Sequence, residues 1–446
     1  MSVCPPEFHS DMEATLEKRA EFGEIFTPRT LVDDMLNLLP AEVFANPEAT
    51  WLDPGAGRGQ FSMALFWRLD QGLTSAIPES ETRKRHILER MLFMVELQAE
   101  NVALLRSRFG PNANIIHANF LEWSTDRTFQ YVVGNPPYNR NGFKKVPTNI
   151  FTKKVNDGDT IWVSFIKRSV SLMEDDGSLV FVVPSLWMRP DKAKMYHFMT
   201  QYKIHRIHCL NASETRRAFG GYAQTPTCYF HLSKRPSDKM VLLDETPFKV
   251  RGKTAIPVFG ATFVNCFVPF VAHYGAVTVK KTNMPGKAAS LAETPTETHL
   301  YPNISTTTLD GLSPRLVVNY STTPLAHHGV PKVVLPHKMY GFPFLDREGR
   351  YGISNRDNYV IQGYPIEALE LFCEFLSTKT TLYLFECTRY RMRYLEKEAF
   401  QFMPDLTKLP DLPRPLTDVS LAAYFGFPLE PVLTFHRKEY NFTYIE

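Results

Sequence analysis

The chain has 446 residues, 44% of them hydrophobic and 22% charged, an ordinary composition for folded domains that excludes disordered and fibrous classes. With 50 Lys and Arg against 47 Asp and Glu, the net charge of +3 is too small for bulk attraction to nucleic acid. Any phosphate-binding surface must come from local clustering. No run approaches about 18 apolar residues, and the N-terminus lacks a basic stretch followed by an apolar one, so neither secretion nor a membrane span is expected. The expectation is a cytoplasmic protein, in a bacterium or in a host cell if phage or viral. The six cysteines, Cys4, Cys209, Cys228, Cys266, Cys373 and Cys387, contain no C-x-x-C pair. That points to reduced thiols and, with no Cys-His ligand spacing, to no metal.

In chain order, Thr27-Pro28 reads as a helix N-cap with proline at the first helical position, and Leu31, Val32, Met35, Leu38 and Leu39 continue that helix on one face. Its positive end suits a carboxylate. From Glu24 to about Leu232, β-branched and aromatic runs alternate with helical patterns, the signature of an α/β sheet with crossover helices. Strands are predicted over 50–52, 91–95, 114–117, 129–133, 178–183, 204–209 and 227–231. Between them, Gln60 to Leu69 and Ala99 to Phe109 have the 3.6-residue apolar spacing of packed helices. Composition shifts at Lys234-Arg235-Pro236, which places a boundary between domains 1–235 and 236–446. The Pro, Ser and Thr-rich stretch from Pro285 to Pro314 reads as a long loop or tether, and Pro365 to Leu384 as one helix.

In Val132-Val133-Gly134-Asn135-Pro136-Pro137-Tyr138 an apolar strand runs into a rigid polar turn, at a strand end where open parallel sheets bind ligands. An exocyclic adenine amine becomes nucleophilic only if acceptors hold its N–H groups. Asn135 offers its side-chain carbonyl and Pro136 its backbone carbonyl, while the prolines fix Asn135 in an extended conformation. No low-pKa base is needed, because positioning and hydrogen bonding carry such catalysis. Tyr138 adds a flat face on which a base taken out of a duplex can stack. Upstream, Asp53-Pro54-Gly55-Ala56-Gly57-Arg58-Gly59-Gln60-Phe61 puts three glycines between a strand and a helix, allowing close backbone approach to a ligand. Glu96 closes the next strand, placed to accept from two ribose hydroxyls. Asn119-Phe120 follows the third, suited to an amide contact and a ring contact with an adenine.

This order of motifs resembles the γ-class DNA adenine-N6 methyltransferases, the group of the TaqI-type enzymes, with the match running from Gly23 to about Lys234. The resemblance implies a Rossmann-like α/β catalytic domain, a mostly parallel twisted sheet with helices on both faces, followed by an α+β target-recognition domain. It implies S-adenosyl-L-methionine as methyl donor, S-adenosyl-L-homocysteine as product, and transfer to N6 of a flipped-out adenine in duplex DNA. Carried over residue by residue, Phe26, Thr27, Asp53, Gly55, Gly57, Phe61, Glu96, Asn119 and Phe120 stand at the cofactor. Asn135, Pro136, Pro137 and Tyr138 stand at the target base. Phe219 is the second aromatic against that base, with Tyr222 in reserve. The family usually has Asp where Asn119 stands; an amide oxygen accepts the same bond without charge assistance.

Lys144 and Lys145 are candidates for phosphate contacts. So are Arg389 and Arg391 in Arg389-Tyr390-Arg391-Met392-Arg393-Tyr394, where an extended segment would put three arginines on one side; Lys280, Lys281 and Lys332 add charge. A monomer is expected, with a restriction endonuclease as a separate chain its natural companion. Three rivals remain at this level: an RNA adenine methyltransferase, a protein-glutamine methyltransferase using the same Asn-Pro-Pro-Tyr loop, and a cofactor-binding scaffold that has lost catalysis.

Overall fold

The computed structural model describes residues 27–139, 160–190, 194–221, 223, 225–286, 289–310, 313–337, 343–391 and 395–435. The chain forms two compact units, Met1–Arg251 and Gly252–Glu446.

The first unit is built on β1 (Trp51–Asp53), β2 (Leu92–Glu96), β3 (Asn114–His117), β4 (Phe129–Gly134), β5 (Met173–Pro184), β6 (Tyr202–Leu210), β7 (Thr227–Pro236), β8 (Met240–Leu243) and β9 (Thr246–Lys249). They form one sheet in the order β3-β2-β1-β4-β5-β7-β6-β8-β9. Neighbours from β3 to β5 are parallel, and β7 runs antiparallel to both β5 and β6. Buried strands of a parallel sheet read as continuous apolar runs, and Leu92-Phe93-Met94-Val95 is one: Leu92 and Met94 join the core shared with helices Arg29–Leu36 and Gln60–Gly72. Phe93, which points to the opposite face, meets Phe129 edge-on at 5.3 Å. Nor does the sheet end near residue 235. β7 runs to Pro236, and the β8–β9 hairpin continues the sheet until the unit closes at Arg251.

The first helix also departs from its sequence reading. It begins at Arg29, with Pro28 rather than Thr27 at the N-cap position and no side-chain cap. Thr27 thus lies one residue ahead of the N-cap, and its hydroxyl accepts from Asn135 Nδ2 instead. The helix stops at Leu36, so Leu38 and Leu39 reach the core from the turn that follows.

In the second unit, two four-stranded sheets hold a small core of Ile304, Val334, Ile353 and Val360. The stretch expected to be a loop supplies Tyr301–Asp310, which pairs antiparallel with Ser313–Ser321. The helix expected over 365–384 is two, Ile366–Leu376 and Lys379–Cys387, broken where Thr378 turns its side chain to cap the second by accepting from Thr381 N. Phe263, Phe267, Tyr383, Phe425 and Phe427 make a ring cluster with centroids 4.5 to 5.7 Å apart. Among the described residues no helix is long and apolar enough to cross a membrane.

Candidate active site

β1 and β4 lie side by side and parallel, with β2 and β3 beyond one and β5 beyond the other. The chain therefore reverses its direction of travel across the sheet between them, and the crevice at their C-terminal ends is where open α/β sheets bind ligands. Both polar loops singled out in the sequence leave from these two strands. They abut: a Cβ at Gly55 would stand 4.0 Å from Pro137 Cδ, and one at Gly134 would stand 3.3 Å from Asp53 Oδ1.

The glycine loop is held by main-chain bonds from Ala56 N to Val95 O and from Gly59 N to Ala56 O. Gly57 and Gly59 have φ of 54° and 91°, the left-handed region that glycine alone enters at no steric cost. At Gly59 space is limiting as well, since a Cβ would come within 2.8 Å of Leu105 Cδ2. Glu96, 6% exposed, accepts from Gly57 N through Oε2 and from Gln98 N through Oε1, each at 2.8 Å. These bonds tie the loop to the end of β2, and Asn101 Nδ2 lies 3.5 Å from Oε1 as well. Arg108 Nη1 braces the same loop by donating to Arg58 O at 2.6 Å.

Asp53 is 1% exposed at the end of β1. Ser62 Oγ donates to its Oδ2 at 2.7 Å, while Oδ1 is buried without a hydrogen-bond partner. Burial pushes its carboxyl up from 3.8 to about 7; Glu96 adds to the effect, and the bonds from Ser62 and Gly55 oppose it. A buried acid poised near neutrality beside a glycine loop is a recurrent property of ligand sites.

Asn135 leaves β4 with its amide oriented. Its Nδ2 donates to Thr27 Oγ1 at 2.9 Å, and its Oδ1 is buried with no hydrogen-bond partner. The Tyr138 hydroxyl is likewise buried and unpartnered, and burial raises its pKa well above 10. Asn119 accepts Leu121 N on its own Oδ1 at 3.1 Å, a local turn that directs the chain after β3. Phe120 is buried, its ring 5.1 Å from that of Phe165.

Thus Thr27, Asp53, Gly55, Gly57, Glu96, Asn119, Phe120 and the loop Asn135 to Tyr138 gather at one edge of one sheet. Two other expected residues of this unit do not. Phe61 packs into the core on the helix after the glycine loop, and Phe219, 2% exposed, packs into the same core instead of presenting a ring to a base. In the second unit, Arg389 is tucked against Glu386 at 3.1 Å with its side chain 12% exposed, and Arg391 pairs with Glu396 at 3.4 Å. Tyr390 between them is fully buried, its hydroxyl donating to Ile256 O. Lys332 is fully buried too, donating to Asp346 Oδ2 at 2.6 Å and to the carbonyls of His327 and Val330. Lys281 points its Nζ to His337 Nε2 and over the Tyr359 ring. Phe26, Lys144, Lys145, Tyr222 and Arg393 lie outside the described residues. Sequence reasoning passed over Ser62, Arg108 and Phe165. Only Ser62, a hydroxyl in the first turn after the glycine loop, carried a local signal.

Residues 79–215 match the Eco57I restriction-modification methylase family, a span that holds Glu96, Asn119, Phe120 and Asn135 to Tyr138 but not the glycine loop. The chain is similar to the Type II methyltransferase M.BsuBI of Bacillus subtilis, 23% identical over 214 residues that cover 45% of this chain and 41% of that protein. An uncharacterized adenine-specific methylase of Mycoplasma pneumoniae is 43% identical over 77 residues, 17% of this chain and 18% of that one. The matches thus span less than half the length of these relatives. The solved structure of the Type IIL restriction-modification enzyme MmeI in complex with DNA aligns with TM-score 0.49 and 11% identity over 87% of this chain and 69% of that one. Residues 79–215 carry the sequence pattern of the Eco57I restriction-modification methylase family, and the chain's homologues are Type II methyltransferases.

Proposed function

We propose that the chain is a DNA adenine-N6 methyltransferase of the γ-class, TaqI-like kind, using S-adenosyl-L-methionine and acting on an adenine turned out of the duplex. One observation carries the reading: the Asn135 amide is fixed through Nδ2 and keeps Oδ1 buried and without a hydrogen-bond partner. A buried carbonyl oxygen without a donor is costly, by about 1–3 kcal/mol, and it is retained where a substrate N–H will satisfy it. Held by Oδ1 and by the Pro136 carbonyl, the amine nitrogen is drawn toward the pyramidal geometry in which its lone pair can attack a methyl group.

The residues of the neighbouring loop fit the methyl donor. Gly55, Gly57 and Gly59 let the backbone approach a nucleoside, Glu96 stands at the strand end where ribose hydroxyls are held in such folds, and the unpartnered Asp53 Oδ1 suits a cationic group. The donor's sulfonium supplies an electrophilic methyl. The protein's own contribution is to align the amine with it, exclude water and accept the N–H bonds. Tyr138 offers its ring to the base, worth about 1–3 kcal/mol if stacked.

The second unit is the proposed DNA-recognition part, on its size and its position after the catalytic residues. A base inside a duplex needs a second gripping surface while it is extruded. Expression in a methylation-deficient host, followed by modified-base sequencing of its DNA, tests the reading. N6-methyladenine at one defined sequence is expected, and Asn135→Ala abolishes it while cofactor affinity stays nearly unchanged. Unmodified host DNA, with transfer instead to RNA or to a release factor, would overturn it.

A further inference from the structure

We infer that Thr27 is a positioning residue for Asn135: its hydroxyl takes the Nδ2 N–H and thereby holds the side chain where its oxygen is left to the substrate. This rests on the function proposed above, because only a reaction that needs an acceptor at Asn135 makes the orientation matter. A hydroxyl both donates and accepts, so the contact acts by fixing where the amide sits, and with Nδ2 on Thr27 it is Oδ1 that is left for a substrate N–H.

Among the described residues, one side-chain hydrogen bond holds the Asn135 amide. Asn135 Nδ2 lies 2.9 Å from Thr27 Oγ1, across 108 residues of sequence, while Oδ1 has no hydrogen-bond partner. Thr27 is 4% exposed, so water competes poorly for its oxygen. Its β-branched side chain is stiff at χ1, which holds the oxygen in place better than a serine would. Thr27 is also free to play this part, because the helix that follows starts at Arg29 and draws no capping bond from the Thr27 side chain. The expectation from sequence that Thr27 caps the helix gives way to a role one step from the reacting nitrogen.

Turnover of Thr27→Val, Thr27→Ser and Thr27→Cys, each as a ratio to wild type on DNA from a methylation-deficient host, tests this role, together with S-adenosyl-L-methionine affinity by calorimetry. The wild-type rate itself tests the function; the ratios test Thr27. Thr27→Val keeps the shape and removes the acceptor, and is expected to lower kcat on the order of 10- to 100-fold with cofactor Kd unchanged. Thr27→Ser restores most of kcat. Thr27→Cys, whose sulfur is a poor acceptor, falls between them and serves if the valine variant does not fold. Unchanged kcat in both the valine and cysteine variants would overturn the assignment. So would weakened cofactor binding with full kcat at saturation, which would return Thr27 to the cofactor.

Discussion

Cofactor binding to this protein should release a proton near neutral pH, and Asp53 sets the amount. Its carboxyl is raised from 3.8 to about 7 by burial, so in the free protein it is about 0.9 protonated at pH 6, about half at pH 7 and about 0.1 at pH 8. A cation placed against the unpartnered Oδ1 favours the charged form. If the bound state brings the pKa below about 5, an interaction of about 3 kcal/mol, nearly the whole bound proton is expelled. Titration calorimetry with S-adenosyl-L-methionine in two buffers of different ionisation enthalpy reads this directly. Release of about 0.9 proton at pH 6 and about 0.1 at pH 8 is expected, and none at either pH in Asp53→Asn. The same shift acts on the free protein. A carboxyl raised in the folded state ionises first in the unfolded one, so its contribution to stability is intact below pH 3.8 and is lost as pH rises to about 7. The full loss is about 4 kcal/mol above that, and Asp53→Asn, which keeps an acceptor for Ser62, escapes it. The asparagine variant should therefore be the more stable protein at pH 8, with the advantage fading toward pH 4. Equal proton release by wild type and variant would refute the placement of the cation at Asp53.

Three further outcomes follow from the geometry. Gly59→Ala puts a Cβ 2.8 Å from Leu105 Cδ2 at a φ of 91°, so thermal unfolding should show a loss of about 1–3 kcal/mol, and cofactor affinity should fall with it as the loop shifts. Asn119→Asp keeps the turn bond to Leu121 N and adds a second, charged oxygen, so calorimetry should show tighter cofactor binding by about 1 kcal/mol; weaker binding would mean that Asn119 faces away from the adenine. Lys332→Met leaves Asp346 charged and buried with only the N–H groups of Arg350 and Tyr351, so denaturant unfolding should show a loss of about 3–5 kcal/mol, while a loss under about 1 would mean that those two bonds suffice.

The sequence was most legible where one local requirement governs both residue type and conformation. Gly57 and Gly59 sit at positive φ, and the helix expected over Ala99 to Phe109 forms over that range. Asn135-Pro136-Pro137-Tyr138 announces itself because two prolines after an apolar strand leave the chain few conformations. Thr27 was misread for the opposite reason. A threonine before a proline satisfies the local rule for a helix start, and only a partner 108 residues away shows that its hydroxyl is spent on Asn135. Long-range satisfaction overrode a short-range signal there, as tertiary context commonly does.

The second unit shows the same override acting on charge. Runs of Arg and Lys read as surface because an isolated buried cation is expensive, and that inference holds only while no anion is near. Lys332 lies on one strand opposite Asp346 on the next, a pairing set by the register of the ladder, so the two bury together. Arg389 follows the helix Lys379–Cys387 and folds back onto Glu386 within it. Arg389, Tyr390 and Arg391 lie outside any strand, with Tyr390 fully buried and its hydroxyl donating to Ile256 O. A period-2 face does occur in this unit. It lies on the hairpin of Tyr301–Asp310 with Ser313–Ser321, where Thr306 pairs with Val317 and Thr308 with the exposed Arg315 on one side while Ile304 turns to the core. That hairpin grows out of the stretch whose Pro, Ser and Thr content reads as a loop. Its strands follow from the β-branched run Thr306-Thr307-Thr308 pairing with Leu316-Val317, where propensity for an extended chain outweighed a composition typical of loops.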